Sequence, residues 1–125
     1  MGPGGEVMRK WGLAALFFIG IIHPAGAVAP VEAFLQQYES AAVSVRERME
    51  QFVYDMNEGM GWLNDYLVSA RHEPRVYCPP DKLVLAGNQL VDILERFVQH
   101  NPQYGDFPVG GVLIFALKDA FPCQE

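Results

Sequence analysis

Basic residues are scarce in this chain of 125 residues, and cysteine is scarcer: 9 Lys and Arg stand against 15 Asp and Glu, with 2 cysteines. A net charge of −6 leaves no basic stripe of the kind that nucleic acid or an anionic membrane surface requires. No membrane span is expected either. The apolar run Trp11–Ile22 has 12 residues, roughly 18 Å as a helix, well short of the roughly 30 Å of hydrocarbon in a bilayer. The chain also lacks a glycine-rich phosphate loop, a GxSxG elbow and any zinc-ligand spacing. His23, His72 and His100 are remote from one another, and the acidic residues are scattered along polar helix faces. Acid–base chemistry needs such groups held together at a reacting centre. The expectation is therefore a protein with no catalytic site, no metal and no cofactor.

What the chain does have begins with an export signal. Arg9 and Lys10 precede the apolar run, and Ala25-Gly26-Ala27 follows it, the layout of a secretory leader. Cleavage is expected after Ala27, which divides the chain into a leader, residues 1–27, and one helical domain, residues 28–125. Met8 offers a more compact alternative start. Residues 28–125 carry 7 Lys and Arg against 14 Asp and Glu, an acidic surface that suits solubility or a basic protein partner.

The two cysteines bracket the last third of the domain. Behind an export signal, Cys78 and Cys123 read as a disulfide. A domain of this size buries only about two thirds of the surface of its unfolded chain, and its net stability is on the order of 5–10 kcal/mol. Closing so long a loop contributes about 4 kcal/mol in the chain-entropy picture. The bridge is thus expected to carry a large share of the stability.

Apolar periodicity predicts an all-α fold, a small bundle of four to five helices. Pro30 opens a short one with Val31, Phe34, Leu35 and Tyr38 on its inner face. Ser44 and Glu47 form a capping-box pattern before a long helix, with Val45, Met49, Phe52, Val53, Met56, Met60, Leu63 and Leu67 on one side. Gly59 and Gly61 interrupt that pattern, each costing roughly 1 kcal/mol in a helix interior. They imply a close helix crossing or kink, or a place where a partner backbone approaches. Pro74, Pro79 and Pro80 make an extended connector that presents Cys78. Asn88 is placed to cap a third helix, striped by Leu90, Val91, Leu94, Phe97 and Val98 and ended by Asn101-Pro102. His100 in its last turn suits the negative helix end.

A tight polar loop, 101–108, with Gly105 at its tip, leads to the last helix. There Val109, Val112, Leu113, Ala116, Leu117 and Ala120 face inward, and Ile114, Phe115 and Phe121 widen the apolar surface. Such a helix is central in the fold or paired with another subunit. Tyr54, Trp62, Tyr66, Arg71, Arg75 and Tyr77 concentrate on the long helix and connector, and aromatics and arginine dominate binding hot spots. Trp62, Tyr66, Arg71 and Arg75 are the partner-binding candidates there, with Tyr104 and Asp106 on the loop.

The run YCPPDKLVLAGNQLVDILERFVQHNPQ, followed by FPVGGVLIFALKDAFPC, resembles the Rap1a/Tai immunity proteins of type VI secretion. The matching elements are Cys78 with Pro79-Pro80, Gln89 to Val91, Asn101-Pro102 and Ala120 to Cys123, and FVYDMNEGMGWLNDYL resembles that family's glycine-containing helix. The resemblance covers residues 45–123 and departs in lacking a second cysteine pair in the N-terminal half. It implies an all-α periplasmic protein, a homodimer, that binds a secreted peptidoglycan amidase effector and blocks it sterically. A second reading is an acid-activated periplasmic chaperone, also small, helical and singly disulfide-bonded.

Overall fold

The computed structural model describes residues 29–124; the expected leader, its cleavage point and Val28 lie outside the described residues. Four α-helices and one 3-10 turn follow in order: α1 (Val31–Ser40), α2 (Val43–Arg71), α3 (Gly87–His100), the 3-10 turn Pro102–Tyr104, and α4 (Val109–Ala120). The architecture is an all-α bundle. The long α2 lies against α3, α3 against α4, and α1 touches all three.

Burial follows the apolar stripes. Val31 and Phe34 of α1, Val53 of α2, Leu90, Val91 and Leu94 of α3, and Val109, Val112, Leu113, Ala116 and Leu117 of α4 make one core. Each large side chain fully buried there contributes about 1.5–3 kcal/mol. The last helix is therefore central, with its inner face satisfied inside the monomer. Ala120, expected on that face, is exposed, because α4 ends there and the chain turns away toward Pro122 and Cys123.

Helix starts differ from the sequence reading. Ala42, not Ser44, precedes α2, so Ser44 lies inside the first turn and makes no capping bond. Ala86, not Asn88, precedes α3, and the Gln89 side chain accepts the Ala86 N–H at 2.8 Å. The early start of α3 has a steric cause. A Cβ at Gly87 would lie 2.5 Å from the Glu50 carbonyl oxygen, so only glycine lets α3 begin directly on the backbone of α2.

The close crossing expected at Gly59 and Gly61 is thus found at Gly87. Both α2 glycines sit in an uninterrupted helix, and a Cβ at either would meet nothing within 4 Å. Leu63, expected in the core, is exposed. Its place is taken by the neighbouring Asn64, which faces inward for reasons of hydrogen bonding described below.

The loop 101–108 also has an unforeseen task. Helix starts leave orphan N–H groups, and here Val31 donates to the Phe107 carbonyl at 2.9 Å and Glu32 to the Gly105 carbonyl at 3.0 Å. Val109 returns the bond to Ala29 at 3.3 Å. Gly105 is consequently buried under the first turn of α1 rather than standing at an exposed tip. A Cβ there would come 2.9 Å from Glu32 Oε2 and 3.3 Å from the Pro102 carbonyl oxygen.

Candidate functional site

The distal end of α2 carries Trp62 and Tyr66, the two most exposed aromatic side chains among the described residues. The helix ends in a left-handed residue, His72 (φ 53°), and Glu73 N–H reaches back to the Leu67 carbonyl at 2.9 Å, which closes the last turn. The connector then folds back along the helix it has just left. Asn64 Nδ2 donates to the Tyr77 carbonyl at 2.9 Å, and Val76 N–H donates to Asn64 Oδ1 at 2.8 Å. Asn64 is the buried polar residue of the described core, and both its amide atoms are satisfied by the connector backbone.

On the far side of the connector, Cys78 N–H donates to the Phe121 carbonyl at 2.8 Å, and Cys78 and Cys123 are joined as a disulfide across 45 positions. The connector is therefore held to α2 by a side-chain amide and to the end of α4 by a covalent bond. Tyr77 is 4% exposed, so it belongs to the core and not to the surface set in which the sequence placed it. Burial raises its hydroxyl above the ordinary tyrosine range, and the carboxylates of Asp65 and Glu58 raise it further.

Four of the six partner-binding candidates meet at this end of the molecule. Trp62 is 74% and Tyr66 54% exposed, and at four residues apart they are neighbours on the helix surface. Arg75 Nη2 lies 3.7 Å from Asp65 Oδ1, and Arg71 Nε lies 3.5 Å from Glu73 Oε1. All four of these charged groups are exposed, so the pairs orient the arginines more than they stabilise the fold.

Tyr104 and Asp106 belong to a separate cluster. The Tyr104 ring is half-buried among Phe97 (5.4 Å), Phe107 (5.1 Å, edge-on) and Phe115 (5.4 Å). It is the hub of an aromatic group joining α3, the loop and α4. Asp106, Phe107 and Phe115 are exposed around it. Sequence reasoning missed Phe107 as a surface residue and Asn64 as a clamp. The signal for Asn64 was present: it falls on the Met60–Leu67 stripe, where a polar side chain needs a partner.

An open apolar groove of about 290 Å³ runs between α1 and α2, lined by Ala29, Phe34, Val45, Met49 and Phe52, with Gln37 and Arg48 at its edge. No histidine, cysteine or carboxylate lines it. Nor do three His, Cys, Asp or Glu side chains gather as a metal set among the described residues. Elsewhere on the same two helices Tyr38 donates to Glu50 Oε1 at 2.6 Å. The Tyr38 hydroxyl is pushed up to about 12 by burial, by that bond and by the Glu50 charge. The Arg46 guanidinium stacks 5.1 Å from the centre of the Tyr38 ring.

The chain matches no protein-family model, no curated protein and no solved structure.

Proposed function

We propose that this protein is a periplasmic immunity protein that binds a type VI secretion peptidoglycan amidase and inhibits it by occupying its cleft. The observation that carries this reading is the exposed Trp62 and Tyr66 pair on a helix end locked by Asn64 and by the Cys78–Cys123 bridge. Large aromatic side chains fixed on a rigid support lose little freedom on docking, which is how a modest area yields tight binding. The loop 101–108 is a second contact element. Its backbone is fixed by α1, and it offers Asp106 and Phe107 to a partner.

The target class comes from the Rap1a/Tai resemblance. The two stretches in which that resemblance is most specific, Cys78-Pro79-Pro80 and Ala120 to Cys123, are the two that the disulfide joins. Export by the leader, residence in the periplasm and a homodimeric state belong to the same proposal.

The test is to mix the processed protein with peptidoglycan amidases of secretion clusters and measure both binding and hydrolysis. A nanomolar complex that stops hydrolysis is expected. Trp62→Ala should weaken it by about 2 kcal/mol or more without altering the helical circular dichroism spectrum. Absence of any such complex across a panel of these amidases overturns the reading.

A further inference from the structure

The space between α1 and α2 is not filled where the two helices face each other across small side chains. Phe34 and Phe52 bring their rings to 6.3 Å between centroids. On the α1 side Ala29 and Ala33 are too short to close the rest, and the apolar groove of about 290 Å³ remains. Two polar residues line it, Gln37 and Arg48, both exposed.

The charge of this groove runs against that of the molecule. Residues 28–125 hold 14 acidic side chains to 7 basic ones, yet no carboxylate lines the groove and the one charged residue on it is a cation. That cation is uncommitted. Of the other arginines of α2, Arg46 donates to the Glu39 carbonyl at 3.1 Å and stacks on Tyr38, and Arg71 lies 3.5 Å from Glu73. Arg48 pairs with no carboxylate among the described residues. Gln37 adds an amide N–H donor at the same rim.

We infer that the groove takes a single medium-length alkyl chain ending in a carboxylate. The tail lies along Phe34, Met49 and Phe52, and the head accepts from the Arg48 guanidinium at the edge. Size excludes a peptide helix, since two turns of one, about 10–12 Å across and about 11 Å long, occupy on the order of 1,000 Å³. The apolar run Trp11–Ile22 is a wrong occupant by charge as well, because Arg9 and Lys10 precede it and carry the same sign as Arg48. This site is independent of the effector reading above.

The core lies wholly within residues 29–124, so the processed, disulfide-intact protein is the sample. Calorimetric titration at neutral pH and low salt with octanoate, decanoate and dodecanoate, each below its micelle concentration, should reveal one site. Affinity should rise about fourfold per added methylene until the chain outgrows the groove. Decanoate should bind about tenfold more tightly than decanol or decyltrimethylammonium.

Arg48→Gln should remove that preference and leave the affinity for decanol unchanged. Ala33→Leu, at an exposed helix position, fills the groove and should abolish binding of all these amphiphiles with the circular dichroism spectrum intact. Equal affinity for the three head groups, a preference for decanoate that survives in Arg48→Gln, binding that survives Ala33→Leu, or no binding at all overturns the inference. So does a processed protein that sediments as a dimer and is dispersed by Ala33→Leu, since a second copy then covers the groove.

Discussion

Asn64 and Tyr77 are 13 positions apart, and the amide of the first donates to the carbonyl of the second at 2.9 Å inside the core. The same side chain accepts from Val76 at 2.8 Å, so one residue of α2 satisfies two backbone groups of a connector that has no regular structure of its own. The contact decides where Cys78 lies, and hence which end of α2 is stiffened against α4.

Replacing Asn64 with Ala leaves a half-buried N–H and a buried carbonyl without this partner. The expected loss is about 2–4 kcal/mol, measured as a lower urea midpoint with little change in slope. Asn64→Asp should also destabilise the protein at neutral pH, because it keeps the acceptor for Val76 but turns a carboxylate toward the Tyr77 carbonyl.

Opening the disulfide should cost about 2–5 kcal/mol, since reduction frees a long loop in the unfolded chain. Thermal melts with and without reductant, and of Cys123→Ser, give the comparison. An identical melting temperature in all three would contradict the role assigned to the bridge.

The glycines separate by sign. Gly87→Ala forces a methyl group against the Glu50 backbone, and a loss of about 1–3 kcal/mol is expected. Gly59→Ala and Gly61→Ala meet open space on a helix and should each gain about 0.4–1 kcal/mol. Three single variants in one chemical denaturation series test the assignment.

Alkaline pH should weaken the fold through Tyr38. Its hydroxyl titrates near 10.0 when unfolded and near 12 in the native protein, raised by burial and by Glu50, with Asp92 adding to this and Arg46 opposing it. The folded chain therefore holds this proton more tightly. The contribution is complete below about pH 10 and is lost as pH rises through about 12. Urea unfolding across that window should show falling stability, with a shallower fall in Tyr38→Phe. Some slope should remain, because Tyr77 is raised in the same direction.

The sequence by itself settled the helical class, because residues at spacings of three and four place Val31 with Phe34, Leu90 with Leu94, and Val109 with Val112, Leu113 and Leu117 on continuous apolar stripes. It also pointed to the bridge, because Cys78 and Cys123 are the two cysteines of the sequence and have only each other.

Only the tertiary structure decided which small or polar residue carries each contact. Gly87, Gly59 and Gly61 are chemically identical, and only the path of α2 beneath Gly87 makes one of them indispensable to packing. Gly105 has the φ of an ordinary helical residue, so nothing local marks it as the place where α1 comes to rest. Asn64 and Leu63 are adjacent, and which of them turns inward depends on backbone groups of a connector more than ten residues downstream. Periodicity is a local property that a helix imposes on its own side chains. A close approach or a satisfied buried amide depends on two distant segments meeting, which no spacing along one segment encodes.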